Sequence, residues 1–357
     1  MKRPLAVVAT LAIALSACSS STKGSPGSPT SAAPGSKTVV LLTHDAFAVT
    51  ASVLKAFTRQ TGYKVKVLKR GDAGVMLNEA ILRKDHPEAD VLFGVDNTFL
   101  SRALDAGLFV SYHAHGVDAV PQKFRMDPQE RVTPIDNGDV CLNYDNTYFG
   151  RNGHPPAPTK LDDLIDSRYK NLTVVESAAA SSPGLAFLLA TIAAKGDGAW
   201  QDYWRKLRAN GVRVVNDWTA AYEQDFTAGG GNGDRPIVVS YASSPPADVV
   251  YSDPHRDTPR VGVVDASCFR QIEFAGVLAH ASNQPGAQAL VDFMLSRTFQ
   301  ADMPLQMYVN PVVPGTPLPD VFVRWAAKPA YPFTIDPATI GAQRDGWIKQ
   351  WTDIAVH

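Results

Sequence analysis

Residues 89–97 read Ala-Asp-Val-Leu-Phe-Gly-Val-Asp-Asn, and this stretch decides the fold. Apolar residues fill successive positions of the run 91–95 instead of alternate ones, which predicts a strand buried on both faces. Strands of this kind belong to parallel sheets that helices cover on both sides. Asp96 and Asn97 follow where the strand ends, and residues 97–106 read as a helix that Gly107 closes.

The segments before this strand repeat the alternation of strand and helix. Residues 39–42 form a short apolar run, and residues 49–57 show the spacing of an amphipathic helix, which Gly62 ends. Residues 64–68 alternate like a half-exposed strand, and residues 75–83 read as a second helix. This order predicts βαβ units and a mostly parallel sheet.

The same alternation restarts after Asp136 and predicts a second α/β unit. Ser182, Pro183 and Gly196 predict one of its helices, as capping residue, first-turn residue and terminating residue. The chain passes between the two units near residues 137–141 and 264–270. The predicted strands of this part are 140–144, 172–176, 212–216 and 237–242, and the predicted helices are 182–195, 199–210, 219–226, 287–297 and 341–354.

Together these patterns predict a two-lobed α/β fold, each lobe a mostly parallel sheet flanked by helices, with a hinged cleft between. Lobe 1 is expected at residues 38–137 and 268–300, and lobe 2 at residues 138–267 and 301–357. In open α/β sheets a ligand binds beyond the carboxyl ends of the strands. The residues directly after each strand are therefore the candidates for a binding site.

The first 37 residues predict export and anchoring. Lys2 and Arg3 precede a short apolar run at residues 5–15, which is typical of a secretory signal and too short for a permanent membrane span. Leu15-Ser16-Ala17-Cys18 then resembles a bacterial lipobox, so residues 1–18 are expected to be a lipoprotein signal with Cys18 as the lipidated residue. Residues 19–37 are rich in Ser, Pro and Gly and are expected to form a flexible tether.

Two further cysteines, Cys141 and Cys268, lie in the body of the chain. An even pair in an exported protein predicts a disulfide, with two buried free thiols as the alternative. The chain has 34 basic and 35 acidic residues, and neither a basic block nor a polybasic stretch suggests nucleic acid or a membrane surface as partner.

The residues after the predicted strands share one chemical character. They include several acids, two aromatic residues and a set of serines, with no Lys or Arg among them. Carboxylates and π faces attract an organic cation, whereas an anion site favours Arg or helix N-termini without nearby acids. The acids are Asp45, Asp72, Asp96 and Asp136, and the residues expected opposite them are Ser181, Ser182, Trp218, Tyr241, Ser243 and Ser244.

Each of these residues also has a purely structural interpretation. Asp96 and Asn97 can cap the following helix, and Ser182 is expected to be a cap whatever else it does. Trp218 can be a packing residue, although its Asn-Asp-Trp-Thr surroundings are polar. The binding hypothesis therefore depends on all these strand ends favouring one type of ligand.

The chain resembles the thiamine-binding proteins of ABC importers, within the type II periplasmic binding protein superfamily. The resemblance covers the body from residue 39 to the end. Its markers are residues 43–47 (THDAF), 74–78 (GVMLN), 89–97 (ADVLFGVDN), 181–185 (SSPGL), 217–222 (DWTAAY), 240–245 (SYASSP) and 343–347 (QRDGW).

This resemblance implies a set of thiamine contacts: Asp72, Ala73, Gly74, Ser181, Ser182, Trp218, Tyr241, Ser243, Ser244 and Tyr308. The chain departs from the family pattern at four positions. Ala73 stands where some members have an acid, His44 where a phenol is common, Tyr308 where a tryptophan is found, and Ala247 where an aromatic residue is found.

The function that follows from this resemblance is capture of thiamine in the interlobe cleft and delivery to an ABC import permease. The protein is expected to be a lipid-anchored monomer outside the cytoplasm, with no cofactor, no metal and no enzymatic activity. Catalytic motifs such as Gly-x-Ser-x-Gly and His-Glu-x-x-His do not occur. The alternatives are binding of thiamine phosphates, binding of a polyamine or another small organic cation, and hydrolysis of thiamine phosphates by a tethered enzyme.

Overall fold

The computed structural model describes residues 37–357, and the predicted signal segment, Cys18 and residues 19–36 of the predicted tether lie outside them. The first lobe is built around strands β1 (Thr38–Thr43), β2 (Lys64–Lys69) and β3 (Val91–Asp96), in which β1 pairs in parallel with both neighbours. All six residues of β3 are buried, as an apolar run without alternation requires. The connecting helices are α1 (Ala51–Thr61), α2 (Ala73–Leu82) and α3 (Leu100–Asp105).

The second lobe is built around β5 (Thr173–Glu176), β6 (Arg213–Val215) and β7 (Ile237–Tyr241), again with parallel pairing of the central strand β5 to both neighbours. Helix α5 (Ser182–Lys195) packs against β5 and β7, and α6 (Ala199–Ala209) packs against α5. The predicted helix at 219–226 is a π-helical turn, Thr219–Asp225. The βαβ pattern of both halves is thus confirmed.

Two long antiparallel strands run through both lobes. They are β4 (Thr133–Asp145) and β8 (Val261–Val277), which pair with each other along most of their length. They join the two parallel groups into one sheet of the described residues, in the order β2-β1-β3-β8-β4-β7-β5-β6, with β9 (Asn310–Pro311) beside β4. The sheet is therefore mixed, and its parallel part is confined to the three outer strands of each lobe.

The remaining helices cover the faces and edges of this sheet. Helix α12 (Pro337–Ala355) packs against α6 of the second lobe and also against α3 of the first. Among residues 37–357, no helix combines the length and the apolar character that a membrane crossing needs. The helices not yet named are α4 (Asn146–Phe149), α7 (Ser244–Val250), α8 (Gln284–Met294), α9 (Arg297–Gln300), α10 (Met303–Gln306) and α11 (Asp320–Trp325).

Helix α5 begins as the sequence predicts but is capped differently. The capping position is Ser181, and Ser182 is already the first helical residue, with proline in the first turn and Gly196 at the end. The hydroxyl of Ser182 donates instead to the carboxylate of Asp96 in the first lobe. The predicted capping role of Ser182 is therefore wrong, because the helix begins one residue earlier than predicted and Ser181 occupies the capping position.

Cys141 and Cys268 form the predicted disulfide, with their Cα atoms 4.1 Å apart. Cys141 lies where the register of β4 against β8 shifts, between the pairs Val140–Phe269 and Leu142–Val264. The bond therefore ties together the two strands that pass from one lobe to the other.

Candidate functional site

Asp72 links the two lobes through its carboxylate. It caps α2 by accepting from the backbone N–H of Ala73 at 2.6 Å. The same carboxylate accepts from the backbone N–H of Trp218 at 3.3 Å and lies 3.5 Å from the backbone N–H of Ser182, both in the second lobe. Burial raises the pKa of Asp72, and the Ser181 hydroxyl and these backbone donors offset part of that rise.

Gly74 brings the backbones of the two lobes into direct contact. Its N–H donates to the carbonyl oxygen of Ala180 at 3.0 Å. A β-carbon at this position would lie 2.7 Å from the same oxygen, so a side chain does not fit. The strand ends of the first lobe and the start of α5 therefore face each other in a closed arrangement.

Three carboxylates lie side by side across the central strands. Glu273 on β8 pairs in register with Asp96 on β3 and with Asp136 on β4. Side chains of directly paired residues lie on the same face of a sheet. Asp96 and Asp136 are 0% exposed, and Glu273 is 5% exposed. We call these three residues the carboxylate row.

The members of the carboxylate row differ in their hydrogen bonds. Asp96 accepts from the N–H and hydroxyl of Thr98, from Gln271 Nε2 at 2.7 Å and from the hydroxyl of Ser182. Neither carboxylate oxygen of Asp136 accepts a hydrogen bond from a donor among the described residues. Asp136 therefore faces Glu273 with no donor to stabilise a charge on its carboxyl group.

Electrostatics reinforce this difference. Burial, followed by the charge of Glu273, raises the pKa of Asp136 well above its usual value. His44 Nε2 lies 3.4 Å from Glu273 Oε1. Burial alone would lower the pKa of His44, but the hydrogen bond and charge of Glu273 outweigh it and raise that pKa. His44 is thus a basic group that faces the row in a site with little water.

The second lobe contributes an aromatic face. The rings of Trp218 and Tyr222 stack with centroids 4.9 Å apart and an interplanar angle of 11°. Trp218 Nε1 donates to the Ser240 hydroxyl at 3.0 Å, and the hydroxyls of Ser240 and Ser244 are also 3.0 Å apart. This chain of hydrogen bonds fixes the plane of the indole ring beside Asp72.

Tyr241 and Tyr308 complete the aromatic part of the site. The pKa of Tyr241 is raised well above 10.0 by burial and then by the charge of Glu273, and its phenol lies beside Gln271. Tyr308 adopts a positive φ of 54° and accepts a hydrogen bond at its carbonyl oxygen from the Ser243 hydroxyl. The ring of Tyr308 lies against Tyr251, with centroids 5.7 Å apart.

The structure brings most of the predicted residues together and leaves one outside. Asp45 is exposed, and its hydrogen bonds are made by its main chain, with Gly71 and with the Lys69 side chain. The turn after β1 directs His44 inward instead. Hydrogen bonds across the cleft join Asp72 to Trp218 and Ser182, Asp96 to Ser182, and Gly74 to Ala180. The other predicted residues line one side each: His44, Ala73 and Asp136 in the first lobe, and Ser181, Tyr241, Ser243, Ser244 and Tyr308 in the second.

Sequence reasoning missed three acids or amides of the site. Glu273 and Gln271 lie inside the long strand β8, where polar residues gave no sign of a strand end. Glu176, the last residue of β5, is 1% exposed with neither carboxylate oxygen hydrogen-bonded among the described residues. Burial raises its pKa, and the charges of Asp72 and Asp217 add to the rise. Its position at a strand end was the available signal.

The arrangement suits a small organic cation. The carboxylate row and Asp72 supply negative charge, the stacked indole supplies a π face, and the serines supply neutral polar contacts. Among residues 37–357, no group of three or more His, Cys, Asp or Glu side chains has the geometry to hold a metal ion.

Comparison with known proteins gives matches over most of the chain. Residues 86–325 match the profile of a family described as bacterial extracellular solute-binding protein. The thiamine-binding periplasmic proteins of Salmonella typhimurium and Escherichia coli are each 30% identical to this chain, over 319 and 322 residues. Each alignment covers 88% of this chain and 92% of the relative.

A solved structure shows the same similarity in three dimensions. A periplasmic thiamin binding protein aligns with a TM-score of 0.78 at 27% identity, and the alignment covers 89% of this chain and 96% of that one. The two-lobed α/β fold predicted from the sequence is thereby confirmed.

Proposed function

The chain belongs to the family of bacterial extracellular solute-binding proteins, and we propose that the solute it captures is thiamine. Members of this family are binding components of ABC transporters and not enzymes. The chain is therefore an extracytoplasmic binding protein. The names of the relatives support thiamine as the ligand, and the acids and stacked indole of this chain support an organic cation.

The observation that carries the proposal is the pairing of a buried carboxylate row with a stacked indole across one cleft. Thiamine carries a permanent thiazolium charge that water solvates well, so a site must replace that solvation with carboxylates or π faces. The carboxylate row, Asp96, Asp136 and Glu273, supplies the carboxylates. The indole of Trp218, stacked on Tyr222, supplies the π face. The hydroxyls of Ser181, Ser182, Ser243 and Ser244 orient the neutral parts of the ligand.

Calorimetric titration of the purified protein tests the ligand. Thiamine, its monophosphate, its diphosphate and putrescine form the panel. Thiamine is expected to bind saturably with one site per chain, and putrescine, which has no aromatic ring to stack on Trp218, is expected to bind much more weakly. Binding of putrescine in preference to thiamine would contradict the proposal.

We further propose that two lobes close over the ligand and then present it to an ABC permease. The lobe boundaries are those predicted, residues 38–137 with 268–300 and residues 138–267 with 301–357. The contacts of Asp72 and Gly74 with the second lobe support a closed state. Each chain carries residues from both sides of the cleft, so one monomer suffices to bind.

Trp218→Ala is expected to weaken thiamine binding by about 1–2 kcal/mol, or roughly tenfold, because it removes a desolvated π face from the cation. Trp218→Phe is the matched control, because it keeps an aromatic face and loses only the hydrogen bond from Nε1 to Ser240. We expect the phenylalanine variant to lose less affinity than the alanine variant. If Trp218→Ala lowers the melting temperature without changing the Kd, the indole is a packing residue.

Lipid attachment at Cys18 is proposed from residues 15–18, Leu-Ser-Ala-Cys. Mass spectrometry of the protein from its native membrane is expected to find Cys18 as an acylated N-terminal residue. Cys18→Ser is expected to release the protein from the membrane without changing its affinity for thiamine. An unmodified N-terminus at another residue would rule out the anchor.

A further inference from the structure

We propose that the carboxylate row holds a shared proton in the free protein and releases it when the cationic ligand binds, so that affinity rises with pH. This inference rests on the proposed function and adds a proton linkage to the same site. Three features of the site support it: the register of three strands, the contrast between the hydrogen-bond partners of Asp96 and of Asp136, and burial.

The register of the strands places three buried acids beside one another. Asp96, Glu273 and Asp136 are direct cross-strand neighbours, and like charges opposite each other on one face destabilise a sheet. All three are at most 5% exposed, so water cannot screen them. Two buried carboxylates in contact do not both ionise readily, and their titration belongs to the pair.

The hydrogen bonds indicate where the proton is held. Asp96 accepts from Thr98, Gln271 and Ser182, and such donors stabilise the ionised form. Asp136 accepts from no described donor, and the neighbouring group that can share a proton with it is Glu273. The proton is therefore held on Asp136, which faces Glu273 across the strands.

The other titratable groups around the row do not supply enough positive charge. His44 contacts Glu273 from the turn after β1, and Lys69 lowers the pKa of His44. Asp72 at the start of α2 and Tyr241 at the end of β7 also act on this region, and neither is a cation. With one histidine against three carboxylates, a proton or a ligand cation must balance the remaining charge.

Binding exchanges one charge for another. A ligand with a fixed positive charge enters beside the row, the O–H proton of the Asp136–Glu273 pair passes to solvent, and the row becomes more negative. No covalent bond to the ligand forms or breaks. Because a proton leaves on binding, affinity increases as pH rises, up to about tenfold per pH unit when one whole proton is released.

The test is calorimetry with thiamine at pH 6, 7 and 8 in buffers of different ionisation enthalpy, which gives the number of protons released. The wild type is expected to release up to one proton per thiamine and to bind more tightly as pH rises. Asp136→Asn keeps the size of the side chain and removes the shared proton, so its proton release and pH dependence are expected to fall towards zero. Asp45→Asn is the matched control, since Asp45 is an exposed acid outside the site, and it is expected to behave as wild type.

Thermal unfolding without ligand gives a second readout. Because the folded-state pKa of Asp136 is raised, the unfolded chain loses this proton at a lower pH than the folded protein does. The row therefore favours folding at low pH, and this contribution is lost as pH rises from the unfolded pKa towards the folded one. The melting temperature of wild type is expected to fall relative to that of Asp136→Asn over this range. Glu273→Gln serves as the second variant if Asp136→Asn does not fold.

The outcomes separate the two proposals. If thiamine binds to wild type with no proton release at any of the three pH values, the proton linkage is overturned and the thiamine proposal stands. If the difference in melting temperature between wild type and Asp136→Asn does not depend on pH, the shared proton is likewise overturned. If thiamine does not bind at any pH, the proposed function fails, and the linkage fails with it.

Discussion

Gly74→Ala is expected to weaken thiamine binding by roughly 1–3 kcal/mol, which is about 5- to 150-fold, while the protein stays folded. The added β-carbon would lie 2.7 Å from the carbonyl oxygen of Ala180, a backbone atom of the second lobe. That oxygen also accepts the N–H of Gly74 at 3.0 Å, so the clash falls on the contact that holds the cleft closed. The same β-carbon would lie 3.1 Å from Phe99 Cζ, at the end of a side chain in the first lobe, so a small shift of that ring is also needed. The clash with the Ala180 backbone is relieved by holding the lobes further apart, and the ligand then loses one of its two walls.

Two measurements on the Gly74→Ala variant are made in parallel. Calorimetry gives the Kd for thiamine, and small-angle scattering gives the radius of gyration with and without thiamine. We expect Gly74→Ala to bind weakly and to show less compaction than wild type on adding ligand. Gly346→Ala is the matched control, because Gly346 lies exposed on α12 and its added β-carbon meets no atom within 4 Å. A Gly74→Ala variant with the wild-type Kd would mean that this contact is absent from the bound state.

Removal of the disulfide is expected to lower the free energy of unfolding by roughly 2–4 kcal/mol. The bond spans 127 residues of sequence, and in the chain-entropy account a long closed loop restricts the unfolded state strongly. The double variant Cys141→Ala with Cys268→Ala is preferred to serine, because the two sulfurs lie among the apolar side chains of Ala242, Val263 and Ala327.

Urea unfolding of wild type, of wild type with reductant and of the double alanine variant measures this loss. Reduced wild type and the double alanine variant are expected to unfold at similar urea concentrations. Both concentrations are expected to be lower than that for oxidised wild type. Labelling of both Cys141 and Cys268 by a thiol reagent in the unfolded protein, without reductant, would show that the bond does not form. Because the bond joins β4 to β8, the variant also shows whether closure needs this link.

The local patterns predicted the outer strands of each lobe well. The apolar run 91–95 is buried along its whole length, and the alternating run at 64–68 is a half-exposed edge strand, β2. In both cases the pattern of neighbouring residues in the sequence was enough to predict how the strand is buried. Periodicity therefore suffices for strands whose environment is uniform along their length.

The crossing strands were only partly predicted, and the reason is physical. Residues 133–139 read Thr-Pro-Ile-Asp-Asn-Gly-Asp, which has low strand propensity, yet they belong to β4. Their place in the sheet comes from pairing with β8, more than a hundred residues later in the chain. Long-range register also decides the carboxylate row, and for that reason Glu273 escaped a search confined to strand ends.

The site itself was predicted by its chemistry more than by its geometry. Acids in the first lobe and an aromatic face with serines in the second are both present, but Glu176 adds an acid to the second lobe. Asp45 and Ser182 show the limit of local reasoning. A turn exposes Asp45, and Ser182 is already helical because α5 begins one residue earlier than predicted, at the capping residue Ser181.

The most direct test of the account is a crystal structure of the protein grown with thiamine. The account predicts density for one thiamine between the carboxylate row and Trp218, with the lobes closed as in the contacts of Asp72 and Gly74. The cationic ring should lie within contact distance of a carboxylate of the row or of the indole face. Thiamine bound elsewhere on the chain, or a cleft without thiamine at saturating concentration, would contradict it.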